Sequence, residues 1–356
     1  MGAGYRTGRS SARPVSDVGE NAGMSAPGAD LPRATLAPLP TPLHHLPRFS
    51  AAIGAEVWMK RDDVGALGLA GNKVRKLEFV LAAARRDGAD AIVIVGAEQS
   101  NACRAAAAAC AQLGLRCMLV LSGDEPDRAT GNLLLGRLYG AEVRFAGTTD
   151  WAELAAAADR ATEELRAGGA SPYTLPVGAS SPLGAVGFAV AWCELLEQLD
   201  ALDVAAGTVV HASSSGGTHA GLVAGRRLTE RGPRVRAIGV ADDIYPDMPG
   251  RYAELATGAA RLLGADVEIG ADELWLDMAF MGAGYAVPTD AALAAIRLLA
   301  RTEGIACDPV YSGKALAAVV AAAHAGELEG ATVFWHTGGH HALFAPRFGD
   351  AVLADG

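Results

Sequence analysis

The segment SSSGGTHAG, residues 213–221, has the composition of an anion-binding turn. It follows the apolar run TVVHAS and precedes the helix-like GLVAGRRL. Glycines allow an anion to approach the backbone, and the amides and dipole at a helix start favour negative charge. Neither GxGxxG nor GxxxxGK[ST] occurs in the sequence, so dinucleotide and nucleoside triphosphate sites lose support. The alternative to an anion-binding turn is a turn that only connects two elements. The residues predicted to bind a phosphate are Ser214, Ser215, Gly216, Gly217 and Thr218.

The segment AGNKVRKLE, residues 70–78, places Lys73 at the start of a predicted helix. A cation there opposes the helix dipole, so the position is unfavourable unless something offsets it. A lysine that forms a Schiff base benefits from such surroundings, because positive potential and desolvation lower its pKa. The alternative is a solvated basic first turn that also contains Arg75 and Lys76.

Two further segments carry polar side chains at predicted element ends. In GAEQSNACR, residues 96–104, Ser100 and Asn101 could face a ligand or simply cap the following helix. In DPVYSGKA, residues 308–315, a proline and a glycine bracket Tyr311 and Ser312. The alternative for this tyrosine is core packing with its hydroxyl hydrogen-bonded.

Short apolar runs alternate with longer helical periods from Leu31 onward, which predicts an α/β fold with parallel sheets flanked by helices. Ligands in such folds bind beyond the carboxyl ends of the strands, where the four polar segments above are expected. Helices are predicted to begin near Asn72, Ser100, Asp150 and Thr289. Buried strands are predicted at 91–96, 117–121, 142–147, 208–213, 235–241 and 332–337.

Composition sets the broad class of the protein. With 356 residues, the chain is long enough for two domains. Its composition, 51% hydrophobic and 20% charged residues, excludes collagen, coiled coil and global disorder. Its net charge of -10 argues against a nucleic-acid partner. No charge-free apolar stretch reaches 18 residues, so no membrane span is predicted.

The cysteine and histidine patterns predict reduced thiols and no metal site. The five cysteines are odd in number and lack paired CxxC spacing, which favours free thiols in the cytoplasm. The cluster HTGGHH, residues 336–341, lacks HExxH, so we expect a loop and no metal. Residues 1–30, rich in Gly, Ser, Ala and Pro, predict a disordered tail.

Taken together and in this order, these segments resemble the D-cysteine desulfhydrase and 1-aminocyclopropane-1-carboxylate (ACC) deaminase family of pyridoxal-phosphate (PLP) enzymes. The resemblance runs from about Leu31 to Ala345 and includes LPTPLHHLPRFS, TGNLLLGRLYGAEV and LPVGASSPLGAVGF. It implies the two-lobed fold of the tryptophan synthase β type, a small amino-acid substrate and a homodimer. The expected larger, PLP-binding domain comprises 31–72 and 180–356, and the expected smaller α/β domain comprises 73–179.

The resemblance also implies roles for individual residues. Lys73 is expected to hold PLP as a Schiff base and to move the α-proton of the substrate. Asn101 is expected to contact the 3'-oxygen of the ring, the turn 214–218 the phosphate, and Ser100 the substrate carboxylate. Tyr285 and Tyr311 correspond to the two active-site tyrosines of the family, which contact the substrate and can transfer protons.

The resemblance also implies that Ser312 binds the cofactor, and this position separates two activities within the family. ACC deaminases have a glutamate there, which can keep the ring nitrogen protonated, whereas desulfhydrase-like members have a hydroxyl residue. A hydroxyl suits α,β-elimination from a cysteine-like amino acid, giving ammonia, a 2-oxo acid and the released group. The alternatives are opening of the ACC ring, β-replacement, and a PLP-binding protein without catalysis.

Four residues depart from the family pattern. Ala102 stands where a histidine or glutamine usually follows the Ser-Asn pair, and His219 replaces a common glutamine. His340 and His341 replace small residues and proline after HTGG. We expect these changes to lie around the substrate pocket, which leaves the identity of the substrate open.

Overall fold

A computed structural model describes Gly28, residues 30–65 and residues 67–354. Its strands are β1 (Leu43–His45), β2 (Val57–Arg61), β3 (Ala91–Gly96), β4 (Arg116–Leu121), β5 (Glu142–Phe145), β6 (Pro172–Leu175), β7 (Ala206–Ser213), β8 (Arg234–Gly239), β9 (Trp275–Asp277) and β10 (Ala331–His336). Its α-helices are α1 (Pro47–Ile53), α2 (Lys73–Arg86), α3 (Asn101–Leu113), α4 (Gly131–Leu138), α5 (Trp151–Ala167), α6 (Pro182–Leu202), α7 (Gly217–Thr229), α8 (Met248–Leu262), α9 (Asp290–Glu303), α10 (Ser312–His324) and α11 (Pro346–Leu353).

The strands form two sheets. Across the six-stranded sheet the order is β1-β2-β10-β7-β8-β9, and only the β1–β2 pair is antiparallel. Across the four-stranded sheet the order is β5-β4-β3-β6, with every neighbouring pair parallel. The predicted α/β fold class is therefore confirmed.

Helices cover both faces of the six-stranded sheet because its central strands are apolar on both sides. Val209 of β7 and Val333 of β10 belong to a core formed with α6, α7 and α8. The next residues along each strand, Val210 and Phe334, belong to a second core with α1, α9 and α10. The four-stranded sheet repeats this pattern, with α2 and α3 on one face and α5 on the other.

Helix α2 is held by a buried ionic network. The Arg75 guanidinium donates hydrogen bonds to both carboxylate oxygens of Asp62, which follows β2, and to both of Glu194 in α6. Lys60 of β2 donates to the Glu194 carboxylate and to Gln198. Because Arg75 and Lys76 are both buried, the interpretation of this helix start as a solvated basic turn is wrong.

The predicted tail, residues 1–30, lies outside the described residues except for Gly28 and Asp30. The strands of the four-stranded sheet lie between residues 91 and 175, and those of the six-stranded sheet lie in 43–61 and 206–336. The domain bounds themselves stay a prediction. None of the described helices combines the length and the apolar character that crossing a membrane requires.

Candidate active site

A cleft opens where the carboxyl ends of β3, β7 and β10 meet the first turns of α2, α3 and α7. Parallel strands end at the same edge of a sheet, which is why segments far apart in sequence converge there. The cleft is lined by nine of the residues predicted from the sequence, namely Lys73, Ser100, Asn101, Ser214, Ser215, Gly216, Thr218, Tyr285 and Tyr311.

Lys73 is the first residue of α2, and its side chain is partly exposed to the cleft. Its Nζ donates a hydrogen bond of 3.0 Å to the side-chain oxygen of Asn72. Burial lowers the pKa of the Lys73 amine to about 8; the Arg104 guanidinium acts in the same direction and Asp308 opposes it. An appreciable fraction of the amine is therefore unprotonated near neutral pH.

The glycine-rich turn between β7 and α7 is fixed from two sides. The Asn72 side-chain amide donates to the Thr218 hydroxyl at 2.9 Å, which ties the turn to the start of α2. The Ser180 hydroxyl lies 2.8 Å from the Ser215 hydroxyl and accepts a hydrogen bond from the Gly217 amide. Gly217 itself is not among the residues that line the cleft.

Lys76 lies one helical turn after Lys73 and is buried beside this glycine-rich turn. Its Nζ donates to the Ser180 hydroxyl at 2.9 Å and to the Gly178 carbonyl at 3.3 Å, and no described carboxylate pairs with it. Burial holds the pKa of Lys76 well below its usual range, with Lys73 contributing. A buried amine without a counter-charge, next to a helix start, suits an anionic ligand.

Ser100 and Asn101 begin α3 at the opposite wall of the cleft. The Ser100 hydroxyl accepts a hydrogen bond of 3.2 Å from the Cys103 amide, so the predicted capping role is confirmed. Asn101 is oriented by Asn132 of α4, whose side-chain amide donates to the Asn101 oxygen at 2.9 Å. This contact fixes the orientation of the Asn101 side-chain amide and leaves its NH2 group available as a donor.

Tyr285 and Tyr311 meet at the third wall, with their hydroxyl oxygens 2.5 Å apart. Burial raises the pKa of Tyr285 to about 12 and holds the pKa of Tyr311 well above its usual range. Lys314 of α10 donates to the carbonyls of Met281 and Gly284, which fixes the loop before Tyr285. The Asp308 carboxylate accepts the amide of Tyr311 at 2.7 Å and fixes the second tyrosine.

A second, larger space lies beyond the two tyrosines. It shares Ala97, Asn101, Tyr285 and Tyr311 with the cleft, so the two spaces have a common boundary. Apolar side chains such as Phe348 line it, together with polar ones. The site therefore has room for a group that extends past the tyrosine pair.

Ser312 does not line the cleft. Its hydroxyl donates to the Asp308 carboxylate at 2.6 Å and accepts the Asp308 amide at 3.0 Å. The single hydroxyl proton is thus already used, and Ser312 can donate to a cofactor nitrogen only by leaving Asp308. Its predicted contact with the cofactor stays a prediction.

Of the four departures from the family pattern, only Ala102 lines the cleft. His219 is fully buried below the glycine-rich turn, and its Nδ1 lies 3.2 Å from Nε2 of His211. The expectation that His219 borders the substrate pocket is therefore wrong. His340 and His341 are likewise absent from the lining residues.

One group of potential metal ligands occurs in the described part of the chain. Side-chain atoms of Asp63, His336 and His340 lie within 4.8 Å of one another. Asp63 already accepts two hydrogen bonds from Arg61, and Nδ1 of His336 accepts the amide of Gly338. These contacts account for the cluster as loop packing, and the expected absence of a metal stays a prediction.

Comparison with known proteins gives the family. A family model described as pyridoxal-phosphate dependent enzyme matches residues 34–338. This chain belongs to that family. D-cysteine desulfhydrases from Klebsiella pneumoniae and Salmonella typhi are each 40% identical, over 324 and 328 residues, covering 88% of this chain and 96% of theirs. A crystal structure of an ACC deaminase homologue matches with a TM-score of 0.84 at 38% identity, covering 92% of this chain and 97% of that one.

The family confirms three predictions from the sequence, namely the resemblance, an enzyme, and PLP as its cofactor. When bound, PLP acts as an electron sink for bond cleavage at the α-carbon of an amino acid. The cleft fits this cofactor, because an amine with a lowered pKa and an anion-binding turn line the same space. The Lys76 amine lies beside that turn with no described carboxylate as its partner, so it would face the phosphate of a cofactor bound there.

Three residues of this site were missed as site residues in the sequence, namely Asn72, Lys76 and Ser180. Asn72 and Lys76 flank Lys73 within AGNKVRKLE, so their proximity was the available signal. Ser180 lies in VGASSPLG, more than 30 residues before the turn it supports. Nothing in the sequence alone connects those two segments.

Proposed function

We propose that this enzyme is a lyase that catalyses α,β-elimination on a small β-substituted amino acid of the cysteine type. With cysteine, one water is consumed and pyruvate, ammonia and hydrogen sulfide are released. The observation that carries the proposal is the Lys73 amine, with a pKa of about 8, in a cleft that also holds an anion-binding turn and two protonated tyrosines. The names of the relatives favour the D-enantiomer of cysteine as substrate.

Lys73 is the residue we propose for covalent attachment of the cofactor and for transfer of the α-proton. Its lowered pKa supports both roles, because the amine must be free to attack an aldehyde and to accept a proton near neutral pH. We place the cofactor phosphate at Ser214, Ser215, Gly216, Gly217 and Thr218, with Lys76 as its counter-charge. Asn101 is proposed to donate to the 3'-oxygen of the ring.

The substrate is proposed to lie between Ser100 and the tyrosine pair. Ser100 and the first amides of α3 suit its carboxylate, since the start of a helix favours negative charge. The raised pKa values keep Tyr285 and Tyr311 protonated, so either hydroxyl can donate a proton to the departing sulfur. The β-substituent then points toward the larger space beyond them.

Ser312 supports elimination over opening of the ACC ring. A serine hydroxyl cannot serve as the acid that keeps the ring nitrogen protonated, and here it is bound to Asp308. ACC has no leaving group at the β-carbon, so its ring opening demands more from the cofactor. Because the chain is similar to an ACC deaminase homologue, turnover of ACC is the alternative activity that the experiment must test.

The test incubates the purified protein with D-cysteine, L-cysteine and ACC in parallel. The proposal predicts sulfide and pyruvate from D-cysteine and no 2-oxobutanoate from ACC. Turnover of ACC alone would contradict the role given to Ser312. Attached cofactor without turnover of any amino acid would instead identify a non-catalytic PLP-binding protein, and formation of a new thioether or cyano amino acid from an added nucleophile would identify β-replacement.

Lys73 can be tested independently of turnover, because the chain has only four lysines. Borohydride reduction of the enzyme followed by peptide mass spectrometry is expected to place the cofactor on Lys73. A Lys73→Gln variant should lose both the label and the activity. Arg297→Met, which removes an arginine bound to the carbonyls of Val352 and Ala354, is the control expected to retain both.

A cytoplasmic location and a homodimer complete the proposal. All five cysteines are free thiols, as expected in a reducing compartment. Leu134 and Leu138 of α4 and Phe344 are exposed apolar side chains on neighbouring segments, which suits a subunit contact. Sedimentation of the purified enzyme tests the dimer, and Leu138→Glu should shift it toward the monomer if this surface is the interface.

A further inference from the structure

Arg104 of α3 is a buried arginine without a carboxylate partner among the described residues. Its side chain is 1% exposed, and its Nη2 donates a 2.7 Å hydrogen bond to the carbonyl of Ala70. Its Nη1 donates to the carbonyl of Gly68, and its Nε has no hydrogen-bond partner in the part of the chain that the structure describes. Burying a guanidinium without a counter-charge costs free energy, so we expect Arg104 to have a role that offsets this cost.

The turn that Arg104 contacts has an unfavourable backbone conformation. Four consecutive residues, 68–71, have positive φ, and two of them are not glycine: Leu69 at 63° and Ala70 at 43°. Such angles cost each non-glycine residue free energy and persist only when the surroundings enforce them. The two hydrogen bonds from Arg104 fall on carbonyls within this turn, which makes the arginine one of the groups that enforce it.

This turn leads directly into Asn72 and Lys73. Its last residue, Gly71, donates its amide to the carbonyl of Asp62, and Asn72 donates its amide to the carbonyl of Thr337. A side-chain carbon added at Gly71 would lie 3.5 Å from Nη2 of Arg104, so the guanidinium packs directly on the backbone two residues before Lys73. A shift of the turn would therefore move the start of α2 and the lysine with it.

We propose that Arg104 is a positioning residue for Lys73, which it serves in two ways: it holds the turn 68–71 in place, and it sets a fixed positive charge near the lysine amine. The proposal rests on the role proposed above for Lys73. The strained turn explains the hydrogen bonds of Arg104, and the need for a free lysine amine explains why no described carboxylate neutralises the charge of Arg104.

Charged and titratable groups reach the Lys73 amine from several elements. Burial is the largest cause of the lowered Lys73 pKa, followed by the charge of Arg104, while Asp308 before α10 raises it. Further positive or titratable neighbours are Lys76 on α2 itself and His211 on β7. Arg104 is thus the principal cation that acts on Lys73 from outside its own helix, and it stays charged at neutral pH with a pKa of about 10.

The experiment separates the charge of Arg104 from its hydrogen bonds. Apoprotein is prepared from the wild type, Arg104→Lys, Arg104→Gln and Arg104→Met, and the rate of PLP attachment is followed by visible absorbance across pH. The wild type should reach its half-maximal rate near pH 8, as the pKa of Lys73 requires. Without the charge, Arg104→Gln and Arg104→Met should shift this midpoint upward by about one pH unit, whereas Arg104→Lys should not.

The equilibrium affinity for PLP tests the hydrogen bonds. Arg104→Lys and Arg104→Met, which cannot bridge both carbonyls, should bind PLP about tenfold more weakly than the wild type. The matched control is Arg297→Met, because Arg297 also donates to two backbone carbonyls, but these belong to Val352 and Ala354 at the end of α11 and not to the turn 68–71. This control should match the wild type in midpoint and in affinity.

Two results would overturn the proposal. One is a wild-type midpoint above pH 10, which needs no variant to be folded; the other is an unchanged midpoint in Arg104→Gln or Arg104→Met. Either result counts against the role of Arg104 once borohydride labelling has placed the cofactor on Lys73. A label on another of the four lysines would remove the proposed role of Lys73 instead, so the two failures remain distinguishable.

Discussion

Replacing Gly216 by alanine tests whether the glycine-rich turn depends on a close approach of backbone and side chain. Gly216 has a φ of +82°, and an added Cβ would lie 2.2 Å from Cδ1 of Tyr252. The Tyr252 ring cannot yield easily, because it is fully buried and its hydroxyl donates to the Ser214 carbonyl at 2.5 Å. The alanine therefore meets both an unfavourable φ and a steric clash.

The magnitude follows from these two costs. A left-handed alanine costs about 1–2 kcal/mol, and forcing an extra carbon into a packed region adds about 1–3 kcal/mol. The matched control is Gly114→Ala at the end of α3, where φ is +69° but no atom of the described residues lies within 4 Å of the added carbon. Gly216→Ala should therefore lower the free energy of unfolding by about 2–5 kcal/mol and the control by about 1–2 kcal/mol.

Urea unfolding of the apoprotein measures the stability, and titration with PLP measures the cofactor affinity. Relief of the clash must move the turn that lines the cleft, so Gly216→Ala should also bind PLP at least about tenfold more weakly, while Gly114→Ala should bind it normally. Equal losses of stability in the two variants, with equal PLP affinities, would refute the steric reasoning.

Two further predictions concern the ionic network at α2. Arg75→Met should lower the free energy of unfolding by about 3–5 kcal/mol, because it leaves the buried Asp62 carboxylate without its guanidinium partner and Glu194 with Lys60 as its remaining cation. Arg231→Met, which breaks an exposed pair with Asp200, should leave it unchanged in the same urea titration. The neighbouring Arg75 and Lys60 lower the pKa of Glu194 to about 2 against the opposing effect of burial. The folded carboxyl thus binds its proton less readily than the unfolded one, so stability should fall as pH drops from about 4.5 toward 2. Glu194→Gln should flatten this part of the pH profile, and a profile parallel to the wild type would show that another group controls it.

Much of the fold could be predicted from the sequence because buried parallel strands consist of continuous apolar residues. The run AIVIVG predicted a strand at 91–96, and β3 has those bounds. The predicted starts of helices at Ser100 and Thr289 are the N-caps of α3 and α9, with hydroxyls that accept a backbone amide. Here the local signal and the tertiary structure agree.

Strand β2 shows why other elements could not be predicted. It lies inside the six-stranded sheet, but its sequence VWMKR contains two cations, one of which, Lys60, is 0% exposed. Its charge is compensated by Glu194, which lies 134 residues away in the sequence. A buried ion pair of this kind has no local signature, so the strand was not among those predicted.

The residues of the candidate site likewise fall into those that the sequence identifies and those whose contacts depend on the fold. Lys73 and the turn 214–218 were found because each segment carries its own chemical signal. The true surroundings of Ser312 and His219 depend on single partners, Asp308 and His211, that only the folded chain brings to them. Sequence motifs thus indicated which residues are unusual but not which way their side chains point.

The distribution of lysines connects the site to the rest of the protein. Only four of the 30 basic residues are lysines, and three of them, Lys60, Lys76 and Lys314, are at most 1% exposed. A lysine carries a compact charge and shifts its pKa readily on burial, whereas an arginine stays charged. Carboxylates and neutral oxygens hold the three buried amines, but within the described residues Lys73 has only the Asn72 side-chain oxygen as its hydrogen-bond partner. Of the two amines that line the cleft, Lys73 and Lys76, the less restrained is therefore Lys73, which is the arrangement that the proposed covalent bond to the cofactor requires.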